Sequence, residues 1–146
     1  GITGVIMDSQ TADIYNPKVI RSTMGAVFRV PFAYVEDLKV ALLQLKDHGV
    51  HLYAAHLKGQ NPYDQADYTE STGFLIGNEA QGLSDEIASL ADTYVKIPMA
   101  GSVESLNAAI ASSVLMFEVA RQRRNQKEMA EDQVSEWSKA VFTERG

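Results

Sequence analysis

Two short runs in this chain hold the residue types that a small-molecule site needs. Asn78 and Glu79 lie between Gly77 and Gly82 in Gly73-Phe-Leu-Ile-Gly77-Asn78-Glu79-Ala-Gln-Gly82-Leu-Ser84. Ser105 and Asn107 close Ile97-Pro98-Met99-Ala-Gly101-Ser-Val-Glu-Ser105-Leu106-Asn107. Each run begins as an apolar strand-like stretch and ends in a glycine-rich polar loop, and a long apolar helix starts at Leu106. Glycine lets a ligand approach the backbone, so exposed amides can read its edge while amide, hydroxyl and carboxylate side chains orient it. Taken singly, Gly77 and Gly82 read as turn residues, Ile97 and Leu106 as core, Ser105 as a helix N-cap and Glu79 as a solvated carboxylate. Taken together in this order they read as one site.

Other chemistries find no support. His48, His51 and His56 form no HExxH pattern and lack clustered carboxylates, so no metal site is expected. There is no nucleophile elbow and no phosphate loop, and the Gly77 to Gly82 spacing is not that of a dinucleotide fingerprint. The absence of cysteine excludes disulfides and thiolate nucleophiles. A formal charge of −6 argues against a broad basic surface for nucleic acid. The cationic candidates are Arg21, Arg29 and the trio Arg121, Arg123 and Arg124, the trio reading as the basic end of a helix.

The elements that must position these residues follow from the apolar pattern. Strands are expected at Ile2 to Met7, Ala26 to Val30, Val50 to Ala55, Gly73 to Ile76 and Tyr94 to Ile97, each with little alternation, as in a parallel sheet buried on both faces. Val35, Leu38, Leu42 and Leu45 mark a helix ending at Gly49, and Ser84 caps a second helix with Asp85 and Glu86 in its first turn. The expected class is α/β, an open, mostly parallel sheet flanked by helices, with ligands bound beyond the carboxyl ends of the strands. Leu57 to Thr72 reads as a polar surface loop or lid. Leu106, Ile110, Val114 and Phe117 form a stripe expected to pack one helix face, and Val134, Trp137 and Val141 suggest an extra C-terminal helix docked on the domain or a partner. Residues 1–124 thus read as the main domain and 125–146 as an extension. No apolar run approaches membrane-spanning length and no signal-peptide pattern appears, so a cytoplasmic location is expected.

Ile-Gly-Asn-Glu-x-x-Gly-Leu-Ser followed by Ile-Pro-Met-x-Gly-x-Val-x-Ser-Leu-Asn resembles the SpoU/TrmH branch of the SPOUT RNA methyltransferases, and the likeness covers nearly the whole chain to about Arg124. The resemblance implies an α/β knot with a C-terminal trefoil knot and methyl transfer from S-adenosyl-L-methionine to a ribose 2′-hydroxyl of tRNA or rRNA. It places the cofactor against Gly77, Ile97 and Leu106, with Ala55 at a neighbouring strand end and Met99 nearby. It marks Asn78, Glu79, Ser105 and Asn107 as positions important for activity and implies a homodimer; Asn107 is expected to orient the ribose. Family members carry a first motif with an asparagine and a catalytic arginine ahead of the strand matching Gly4 to Asp8, and the chain starts past that point. Arg21 is therefore expected to contact RNA or stabilise the fold and not to replace the missing group, Arg29 is expected to contact RNA, and methyl transfer by this chain alone is expected to be weak or absent. The alternative expectation is a non-catalytic module that binds the cofactor or RNA.

Overall fold

The computed structural model describes residues 2–78, 81–101 and 106–143, with side chains through residue 133. All strand pairing in the two described sheets is parallel. β1 (Val5–Met7) pairs with β2 (Phe32–Tyr34), with Val5 opposite Phe32. The second sheet has four strands in the order β4 (Asn61–Pro62), β6 (Thr93–Lys96), β3 (His51–Ala55) and β5 (Thr72–Leu75). The helices α1 (Pro17–Ser22), α2 (Leu38–Asp47), α3 (Asp85–Ala88) and α4 (Ala108–Thr143) complete the chain.

The period of two along β3 divides the core into two layers. Leu52 and Ala54 join Leu42 of α2 and Leu75 of β5, and Ile87 and Leu90 from the α3 region pack on that cluster. Tyr53 points the other way, where it joins Val95 of β6, Leu115 of α4 and the fully buried Tyr68. A sheet sandwiched between α2/α3 and α4 explains why its strands read as continuous apolar runs. The caps are local. The Asp37 carboxylate accepts from Val40 N at the start of α2, and the Ser84 hydroxyl accepts from Ile87 N at the start of α3. Asp92 joins β3 to β6, accepting from Leu52 N at 2.8 Å and pairing with Lys46 at 2.8 Å.

Four expectations are corrected. The stretch Ala26 to Val30 is not a strand: Ala26–Phe28 forms a 3-10 turn, because Met24 (φ 49°) and Gly25 (φ 83°) reverse the chain just before it. The strand comes after Pro31, whose carbonyl accepts from Val5 N. The segment Leu57 to Thr72 is no loose lid, since it carries β4 and buries Tyr68. The stripe on α4 faces away from the sheet, leaving Phe117 78% exposed and Ile110 54% exposed while Leu115 and Glu118 are buried. Finally, the C-terminal extension is helical as expected but is the continuation of α4 and no separate helix, running unbroken over 36 residues; the side chains of Val134, Trp137 and Val141 lie outside the described residues. Arg121, Arg123 and Arg124 consequently sit in mid-helix and have no helix terminus to complement.

Candidate functional site

Parallel register brings the carboxyl ends of three strands together. Ala54 is opposite Leu75 of β5, and Ala55 is opposite Val95 of β6. Two residues beyond these pairs stand Gly77 on one side and Ile97 on the other, with Ala55 at the end of the strand between them. That edge is where open parallel sheets bind ligands.

The first loop is built tightly around Gly77. A Cβ there would overlap the carbonyl carbon of Gly82 and the nitrogen of Leu83, and would stand 2.6 Å from Gly82 Cα. Asn78 closes the turn, its carbonyl accepting from Gly82 N at 2.9 Å and its side-chain oxygen from Gln81 N at 2.7 Å. Gly82 has φ 67°, a left-handed conformation that glycine adopts without strain. The two glycines are thus required by the loop itself, one for close approach and one for its turn.

Ile97 packs on the cluster of Tyr53, Val95 and Leu115, so it combines a core role with a place at the edge. Met99 and Leu106 are half-buried. Asn107 caps α4: its Oδ1 accepts from Ala109 N at 2.9 Å and its carbonyl from Ala111 N at 2.8 Å. Glu79 and Ser105 lie outside the described residues. Behind β6, Gly59 is wedged against the strand; a Cβ would lie 2.8 Å from Val95 C and 3.0 Å from Lys96 N.

Arg21 and Arg29 are exposed near the first sheet, on α1 and just after the 3-10 turn, and neither forms an ion pair among the described residues. No metal-binding group of three or more His, Asp or Glu is present among the described residues, and no described helix is long and apolar enough to cross a membrane.

A polar clamp between α4 and the 57–72 segment was not foreseen. Buried Glu118 accepts two bonds from Arg121, at 2.8 and 2.7 Å, and one from Gln122 Nε2 at 2.8 Å. Gln122 also donates to Ala66 O and accepts from Tyr68 N, both at 2.8 Å. Arg123 donates to Tyr68 O at 3.1 Å and Glu70 O at 2.7 Å. The Arg121 bonds, with the Gln122 bond and against some burial, hold the Glu118 carboxyl below its usual range. Burial, with the neighbouring Tyr53, pushes the Tyr68 hydroxyl up, and that hydroxyl donates to Tyr63 O at 2.6 Å. The Glu118 and Arg121 spacing of three was the available signal in the sequence.

Residues 1–117 match the profile of the SpoU rRNA Methylase family. A Staphylococcus aureus protein assigned to the TrmH family of tRNA/rRNA methyltransferases is 34% identical over 125 residues, covering 86% of this chain and 50% of that protein. The crystal structure of the SpoU methyltransferase AviRb from Streptomyces viridochromogenes, solved with AdoMet, superposes with a TM-score of 0.78 at 35% identity, over 84% of this chain and 50% of that one. The TrmH/SpoU tRNA modifying enzyme of A. aeolicus gives a TM-score of 0.76 at 30% identity, over 87% of this chain and 64% of that one. The chain spans about half the length of the curated relatives it matches. Glycine-built loops at the carboxyl edge of a parallel sheet agree with these likenesses, and the chain belongs to the SpoU rRNA methylase family.

Proposed function

We propose that this chain is the S-adenosyl-L-methionine-binding domain of a methyltransferase that modifies a ribose 2′-hydroxyl in tRNA or rRNA. The observation that carries the reading is the convergence of Ala55, Gly77 and Ile97 at one sheet edge. The cofactor lies there against Gly77, Ile97, Leu106, Ala55 and Met99, with adenine read by backbone amides of the loops. Glu79, Ser105 and Asn107 hold the acceptor end of the site, and capping α4 is compatible with that role for Asn107. The transfer is a displacement in which the 2′-oxygen attacks the methyl carbon, the C–S bond breaks, and the hydroxyl proton leaves to a base. Holding donor and acceptor in line supplies a large share of the rate.

Arg21 and Arg29 are assigned to RNA phosphates. The assembly is a homodimer through the outer face of α4, where Ile110, Val114 and Phe117 with Tyr63 line an open groove of about 440 Å³. Residues 1–124 form the methyltransferase domain, closed by a C-terminal trefoil knot, with 125–146 as an extension, and the protein acts in the cytoplasm. Methyl-labelled cofactor incubated with undermethylated RNA, using this chain and a version extended at its N-terminus by the family's first motif, tests the reading. Label recovered in 2′-O-methylribonucleosides supports it, and label recovered in methylated bases contradicts it.

A further inference from the structure

A surface unlike the rest of this acidic chain lies between residues 14 and 35. This segment holds Lys18, Arg21 and Arg29 and no carboxylate, in a chain whose net charge is −6. It also exposes large apolar side chains: Met24 is 93% exposed, Phe28 77% and Tyr15 63%. Tyr15, Phe28 and Arg29 line one open cleft of about 470 Å³, together with Pro31 and Phe32. Within it Tyr15 stands edge-on to Phe32 with ring centroids 6.1 Å apart. The nearest acids upstream are turned into their own loops. Asp8 accepts from Gln10 N and the Thr11 hydroxyl, and Asp13 accepts from Tyr15 N. Just before the cleft, Met24 adopts a left-handed φ of 49° that non-glycine residues rarely take.

We infer that this cleft takes an unstacked base of a single-stranded RNA segment, with Phe28 as the stacking face and Arg29 and Arg21 meeting the adjoining phosphates. The inference rests on the RNA-substrate reading above. Aromatic faces interleaved with cations that form no ion pair among the described residues are what a single strand requires, since every base has a π-face and every nucleotide a phosphate. A patch serving protein contact alone has no need of a segment cleared of carboxylates. Duplex RNA keeps its bases stacked and offers nothing to Phe28.

The test is fluorescence anisotropy with a 5′-labelled single-stranded RNA of mixed sequence and with the same sequence as a duplex. Phe28→Ala is expected to weaken single-strand binding roughly 5- to 150-fold, the range of one lost base stack, and to leave duplex binding unchanged. Phe28→Trp should retain affinity. Arg21→Ala with Arg29→Ala should reduce the salt slope by about 1.4, two phosphates' worth for a single strand. Phe28→Ala binding single strands like the unaltered chain overturns the inference, as does no RNA binding by the unaltered chain. A change of sedimentation in Phe28→Ala overturns it too, by identifying the cleft as a protein interface. Calorimetry with S-adenosylhomocysteine on the same samples separates the two readings. Cofactor binding with an indifferent Phe28 removes this inference alone, whereas absent cofactor binding removes the parent reading.

Discussion

The backbone amide of Tyr68 donates to the side-chain oxygen of Gln122 over 2.8 Å, joining positions 54 residues apart in the chain. Tyr68 is fully buried, so this bond anchors the one segment that composition marks as a free loop to the long C-terminal helix.

Gln122→Leu leaves Tyr68 N and Ala66 O without these partners, and unmade bonds at partly buried groups cost about 1–3 kcal/mol. The expected outcome is a lower urea midpoint and faster proteolysis between residues 57 and 72. An unchanged midpoint would show that the clamp contributes nothing.

Acid should weaken the same clamp. The folded pKa of Glu118 lies below its unfolded value, so its contribution is present above the unfolded value and is lost as pH falls through the folded one. Arg121 is half exposed, which screens the pair and keeps the effect small. Glu118→Gln should lose that contribution at neutral pH and converge on the unaltered chain as pH falls through the folded pKa, measured as urea midpoints from neutral pH downward.

The two loop glycines should behave differently. Gly77→Ala drives a methyl into the Gly82 and Leu83 backbone and should destabilise the fold by about 1–3 kcal/mol while abolishing cofactor binding. At Gly82 a Cβ meets open space, so Gly82→Ala should cost only the left-handed strain, about 1–2 kcal/mol. Paired denaturation curves check the ranking. Because Gly77 supports the loop from within, its substitution probes the loop and the ligand together.

Phe117→Glu should abolish dimerisation without loss of fold, since the ring is exposed on the single chain. Sedimentation velocity at micromolar concentration checks it, with the unaltered chain expected as a dimer and the variant as a monomer.

What could be read from residues alone divides along physical lines. Buried strands announce themselves by apolar runs, so β3, β5 and β6 fall within a residue or two of expectation, and Ser84 caps α3 as its type suggests. The Gly77 loop was legible because its glycines are demanded by the backbone. Helix orientation was not legible on α4, which has apolar residues on two faces; Leu115 and Val119 face the sheet while Ile110 and Phe117 do not. Nor was the 57–72 segment, whose order comes from Gln122 and Arg123, partners more than fifty residues away. The strand expected at Ala26 to Val30 failed on the left-handed pair Met24 and Gly25, a turn that apolar composition conceals.

Amide hydrogen exchange of the full chain with and without S-adenosylhomocysteine tests the central claim most directly. The account predicts slowed exchange at residues 55–59, 76–83 and 97–107, the stretches that follow β3, β5 and β6 in the chain, with little change at α2. Protection confined to other segments, or none at saturating ligand, would contradict it.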